Sequence, residues 1–155
     1  MQHSTKRILT THAGSLPRPR DLLDMLEAKE QGRPVDENAR QVRLPVAVKE
    51  IVQKQIELGI DIVDDGEYSK PSFVTYVNER LGGFEVDNEA PRRGPWVGSR
   101  EAISFPEFYA AIHVGSRQNR MICTGPITYK GHALLQRDIA NLKTALNGAK
   151  VEAES

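Results

Sequence analysis

Only one cysteine, Cys123, occurs in the 155 residues of the chain. An internal disulfide is therefore excluded, and a reducing, cytoplasmic setting is expected. No apolar run approaches the ~20 residues that cross a bilayer, so no membrane partner is expected. The opening Met1 to Arg7 lacks the apolar core of a signal peptide. Neither sign of charge is in excess, with 21 Lys plus Arg against 21 Asp plus Glu. That balance gives no general attraction to nucleic acid or to an anionic surface. Sustained heptads, low-complexity tracts and short-period repeats are also missing. What remains, 39% apolar and 27% charged, is the composition of one soluble globular domain with a core.

Punctuation and periodicity give the element order. Ile8 to Thr11 is a short strand, and Leu16-Pro17-Arg18-Pro19 is its rigid exit, since each proline fixes φ and removes a donor. A helix is predicted over roughly Arg20 to Gln31, with Leu22, Leu23, Met25 and Leu26 as its stripe and Gly32 as its stop. Asp36 is a cap for helical sequence running to about Leu58, which Pro45 is expected to kink or divide and Gly59 to end. Ile60 to Val63 is a second strand. A short helix follows over Ser72 to Leu81, closed by Gly82-Gly83. Residues 84–119 read as an irregular excursion with an amphipathic piece around Phe105 to His113. Met121 to Thr124 is predicted as the third strand, with Gly125-Pro126 as its turn. Gln136 to Leu146 is a helix ended by Asn147-Gly148, and Val151 to Ser155 would open a fourth strand. Alternating strands and helices imply an α/β fold with a parallel sheet.

Two strand ends stand out. Thr10-Thr11-His12-Ala13-Gly14-Ser15-Leu16-Pro17 follows the first strand, and Asp64-Asp65-Gly66-Glu67 follows the second. Ligands of parallel α/β folds sit at the carboxyl ends of strands, so the two ends suggest one site rim. Gly14 permits close backbone approach, and Ser15 offers a hydroxyl for a carboxylate; the same residues also read as a capped glycine turn. Glu67 suits an ammonium partner, or serves as a solvated loop acid. Asp64 and Asp65 point to opposite sides if the strand continues through them. His12 reads equally as a ligand contact or a structural group. Cys123, beside Ile122 in an apolar strand, reads as a buried structural cysteine. The basic residues Arg92, Arg93 and Arg100 read as a solvated loop, and Trp96 as a packing residue.

Thr10 to Pro19, Gly59 to Glu67 and Thr124-Gly125-Pro126-Ile127-Thr128 occur in the order seen in the cobalamin-independent methionine synthase family. The chain resembles that family's C-terminal catalytic barrel and its shorter single-barrel relatives, some of which alkylate other thiols such as coenzyme M. The resemblance spans nearly all of the chain except about residues 86–119. It implies a (β/α)₈ barrel. Residues 1–155 would supply its N-terminal three βα units as one partial domain, incomplete because a full barrel takes about 250 residues. The chain therefore reads as the N-terminal part of a longer enzyme or as a truncated product.

The implied chemistry is that of 5-methyltetrahydropteroyltriglutamate–homocysteine S-methyltransferase. In that family zinc holds an acceptor thiol as thiolate, which attacks the methyl of a methylated folate. The resemblance puts the zinc ligands and catalytic groups outside this chain, so the isolated chain is expected neither to hold catalytic zinc nor to transfer methyl groups. It carries substrate-binding roles onto Ala13, Gly14, Ser15 and Glu67, with His12, Asp65 and His132 as further candidates. Asp65 stands where methionine synthases carry histidine. His132 falls where they carry a tryptophan that stacks on folate, and imidazole stacks less well. The expected partners are a small thiol and a methyl donor. The alternatives are a fragment of an alkyltransferase for another thiol, or a non-catalytic chain that pairs with the rest of a barrel or with its own copy.

Overall fold

The computed structural model describes residues 4–30, 32–87, 98–111, 121–149 and 152–153. Helix α1, Arg20–Glu30, opens directly after the Pro17-Arg18-Pro19 exit. Helix α2, Glu37–Glu57, begins at Asp36, whose carboxylate accepts from the amides of Asn38 and Ala39, each at 3.0 Å. It is one helix of 21 residues, and Pro45 does not divide it. Proline at this position leaves the Gln41 carbonyl without its helical donor, a loss that costs little because Gln41 is exposed to solvent. The helix ends in a Schellman turn. Gly59, at φ 78°, lets its own amide reach the Ile56 carbonyl and the Ile60 amide reach that of Gln55, both at 3.0 Å.

That turn delivers the chain into β1, Ile62–Val63. Thr11 bridges Ile62 in parallel, and β4, Glu152–Ala153, pairs with β1 in parallel on the other side. Asp61 anchors the first pairing. Its carboxylate takes the Arg7 guanidinium through both nitrogens and accepts from the Thr10 amide at 2.9 Å and hydroxyl at 3.0 Å. These charge-assisted bonds hold the Asp61 carboxyl well below the usual carboxylate range, the Arg7 bond most of all.

The core lies where α2 packs between α1, β1 and a C-terminal helix. Leu22 and Leu26 come from α1, and Leu44, Ala47, Val48 and Val52 from α2. Val63 comes from β1, Tyr68 from the loop after it, and Leu142 from α6, His132–Ala145. Helix α6 starts four residues before the predicted Gln136, so His132 is its first residue.

Between these layers the chain makes an excursion. Helix α3, Phe73–Arg80, is capped by the Ser72 hydroxyl and runs straight into β2, Leu81–Val86. Strand β2 pairs antiparallel with β3, Met121–Tyr129, in a separate two-stranded ribbon. Helices α4, Arg100–Ser104, and α5, Pro106–Ala111, lie between them in sequence. Part of the predicted irregular stretch is therefore ordered; Trp96, Arg92, Arg93 and His113 lie outside the described residues.

The predicted third parallel strand, Met121 to Thr124, is corrected by this ribbon. It belongs to β3, which is largely exposed, with Ile122 41% accessible and the Cys123 thiol free at the surface. A strand covered on both faces would need more apolar sequence than Met-Ile-Cys-Thr. Cys123 is thus not the buried group that was expected; its thiol donates to the Gly125 carbonyl at 3.4 Å. Nor is Gly125-Pro126 a turn after a strand. It lies inside β3, where the register slips opposite Gly82 and Phe84. The third parallel partner is instead Glu152–Ala153, so the expected count of three βα units rested on the wrong strand.

Candidate functional site

The loops that follow the Thr11 bridge and β1 are tied to one another. The Leu16 amide donates to the Gly66 carbonyl at 3.1 Å. The Tyr68 hydroxyl, from a ring buried in the core, donates to the Pro17 carbonyl at 2.7 Å. Arg18 Nη2 donates to the carbonyls of Glu67 at 2.9 Å and Lys70 at 2.5 Å. Across this joint the Ser15 hydroxyl donates to Glu67 Oε2 at 2.6 Å. The two residues singled out first from the sequence therefore meet, 52 positions apart.

Local sequence chemistry shapes the second loop. Asp64 Oδ1 accepts from the Gly66 amide at 2.8 Å, and Asp65 Oδ1 from the Glu67 amide at 2.9 Å. These are two Asx turns in succession. They wind Gly66 and Glu67 into left-handed conformation, at φ 66° and 56°. Glycine is required at position 66, because a Cβ there would lie 2.9 Å from the Tyr68 ring and 3.3 Å from Leu16 Cβ. Glu67 is the one non-glycine residue with positive φ among those described. A side-chain-bearing residue costs about 1–2 kcal/mol in this region.

Behind the loop, the Gln55 amide of α2 bonds both peptide groups of Asp64. It donates to the Asp64 carbonyl at 2.8 Å and accepts from its amide at 3.1 Å. Burial pushes the Asp64 carboxyl above the ordinary range. The charges of Asp65 and Glu67 push the same way, while the Gly66 amide and His12 oppose. His12 Nε2 is enclosed with no hydrogen-bond partner among the described residues.

Ala13 and Gly14 are exposed beside Ser15. Gly14 acts through its φ of 86° rather than by close approach, since nothing would lie within 4 Å of a Cβ there. Asp65 is buried, and its carboxylate is engaged by the loop backbone rather than presented outward. His132 belongs to a different neighbourhood. Its ring stands edge-on to Tyr129, 4.6 Å between centroids, at the junction of the ribbon and α6. The joint's remaining members, Arg18, Gln55 and Tyr68, were not singled out from the sequence. Only Arg18 carries a visible signal, a cation fixed between two prolines.

Parallel strands whose following loops converge on a hydroxyl–carboxylate pair place that pair at the strand ends, where α/β folds hold their ligands. Residues 8–151 match the family described as the cobalamin-independent synthase, catalytic domain, and the chain belongs to that family. It is 31% identical over 147 residues to the methionine synthase of Sulfolobus acidocaldarius, covering 84% of this chain and 43% of the relative. It is 25% identical over 153 residues to the 5-methyltetrahydropteroyltriglutamate–homocysteine methyltransferase of Thermotoga petrophila, covering 88% of this chain and 20% of that protein. A B12-independent methionine synthase from Shewanella sp. W3-18-1, solved in complex with selenomethionine, superposes with a TM-score of 0.53 at 24% identity. The superposition covers 87% of this chain and 34% of that one, a likeness of fold. The chain thus spans less than half the length of these relatives.

Proposed function

We propose that the chain forms the acceptor-binding part of a (β/α)₈-barrel S-methyltransferase that makes methionine from homocysteine and a methylated folate. The Ser15–Glu67 contact of 2.6 Å carries this reading. A hydroxyl has one hydrogen, and Ser15 gives it to Glu67. The pair therefore presents acceptor lone pairs, which suit the ammonium group of an amino acid rather than its carboxylate. The carboxylate falls to the exposed backbone of Ala13 and Gly14. His12, with its Nε2 enclosed and unpaired among the described residues, is the neighbouring polar contact, and His132 with Tyr129 is the donor-side surface. A sulfonate thiol of the coenzyme M kind fits less well, because it carries no ammonium group for the Glu67 carboxylate to receive.

Zinc does not fit the residues described. Among those described, no three His, Cys, Asp or Glu side chains gather as a ligand set. No step is assigned to a metal held by them. The remaining barrel strands would cover the two edges that the Thr11 segment and β4 present, and would bring the metal and donor groups. No helix among the described residues is long and apolar enough to cross a membrane.

Titration calorimetry of the full chain with L-methionine and with 2-mercaptoethanesulfonate tests the reading. L-methionine should bind, and Glu67→Gln should weaken it by about tenfold, the loss of one charge-assisted bond. Binding of the sulfonate in preference to L-methionine would overturn the amino-acid assignment.

A further inference from the structure

Both peptide groups of Glu67 are held by side chains. Its amide donates to Asp65 Oδ1 at 2.9 Å, and its carbonyl accepts from Arg18 Nη2 at 2.9 Å. The same guanidinium nitrogen reaches the Lys70 carbonyl, so one cation spans the turn from residue 67 to residue 70. These bonds add to a backbone bond across the same turn, from the Lys70 amide to the Glu67 carbonyl at 3.0 Å. Glu67 sits at φ 56°, and strain of this kind persists only where surrounding contacts over-determine it.

We propose that Asp65 and Arg18 are positioning residues that clamp the Glu67 backbone in its left-handed conformation, so that its carboxylate meets Ser15. Asp65 then contacts no ligand. It is buried, and one of its carboxylate oxygens holds the Glu67 amide. Arg18 approaches from the first strand-end loop, so the clamp also sets the spacing of the two loops. Tyr68 and Leu16 pin that joint from below through the Pro17 carbonyl and the Gly66 carbonyl. Without the clamp Glu67 relaxes toward negative φ, and its side chain swings off the line to Ser15. A carboxylate on a long, flexible side chain would then have to be ordered by the ligand itself, at a cost in affinity.

This inference rests on the proposed ammonium role of Glu67 only for its effect on binding; the positioning itself is read without a ligand. Crystal structures of the full chain and of Asp65→Ala, Asp65→Asn and Arg18→Met decide it. In Asp65→Ala and Arg18→Met, Glu67 should leave the positive-φ region and Ser15 Oγ should no longer lie within hydrogen-bond distance of Glu67. Asp65→Asn keeps the acceptor and should keep both features. L-methionine affinity should fall about tenfold in the first two variants and stay within about twofold of wild type in the third. A Ser15–Glu67 contact retained in Asp65→Ala, or lost in Asp65→Asn, would overturn the clamp. If Asp65→Ala does not fold, Asp65→Asn and Arg18→Met still decide. If no variant and not even the wild type binds L-methionine, the functional reading fails, while the φ of Glu67 and its distance to Ser15 in each crystal still establish or overturn the positioning.

Discussion

The side-chain amide of Gln55 mimics a neighbouring strand for Asp64, pairing with both its amide and its carbonyl across nine positions of sequence. It fixes the loop after β1 to helix α2, which itself packs on α1 and α6. Gln55→Leu fills a similar volume but leaves both peptide groups of Asp64 without a partner. That should cost about 2 kcal/mol, within the range for stranding half-buried polar groups. Urea unfolding followed by circular dichroism measures it. A loss below about 0.5 kcal/mol would show that water replaces the amide freely.

This contact also marks where the sequence stops being readable. The caps and stops of α2 follow from Asp36 and Gly59, because each acts on amides within a few residues of itself. Ser15 and Glu67 were legible as strand-end residues for the same local reason. Gln55 reads only as one more position on a helix face. Its partner is set by the packing of the helix on the strand, which no spacing rule reports. The error at Met121 to Thr124 has a similar origin. A short apolar run before Gly-Pro looks like a buried strand, and only the antiparallel partner Leu81–Val86 identifies it as one side of an exposed ribbon. Conversely, the tail at Glu152–Ala153 is too short to carry a period, yet it supplies the third parallel partner.

Asp64 should make the protein less stable as pH rises through the acid range. Burial raises its folded-state pKa above the unfolded value. The folded chain then binds the proton more tightly than the unfolded chain, and the benefit is full below the unfolded pKa and lost as pH climbs past the folded one. Asp64→Asn retains an oxygen for the Gly66 amide and removes the charge. Its melting temperature should exceed that of wild type near neutral pH, and the difference should shrink as pH falls toward the ordinary carboxylate range. Thermal melts across that range provide the check. An Asn variant less stable than wild type at neutral pH would mean that the charge itself is needed, with His12 as the candidate counter-ion.

Glu67 poses the opposite trade. Replacing it by glycine removes the penalty of a side chain at positive φ, while deleting the carboxylate that meets Ser15. Glu67→Gly should therefore gain up to about 1 kcal/mol of stability, the left-handed penalty less the lost hydrogen bond and the added chain entropy. It should also lose L-methionine binding. Paired melting and calorimetry resolve the two effects. A variant that melts lower and still binds would contradict both the strain and the role assigned to this residue.

The ribbon depends on Gly83 for a steric reason that can be tested apart from the site. Gly83 has φ 85°, and a Cβ there would stand 2.5 Å from the Pro126 carbonyl oxygen and 2.8 Å from that of Gly125. Both obstacles are backbone, so neither can turn aside as a flexible side chain would. Gly83→Ala must either shift β3 or abandon the slip in register opposite Gly82 and Phe84. The expected cost is about 2–3 kcal/mol, combining the left-handed penalty with the clash. Because α3, which carries Arg80, runs directly into this strand, the disturbance should reach the buried ion pair of Arg80 with Asp138 on α6 at 2.6 Å. Hydrogen exchange should rise in β2, β3 and the first turns of α6, while α1, α2 and β1 keep their protection. Uniform loss of protection throughout would show that the ribbon and the parallel layer unfold as one unit.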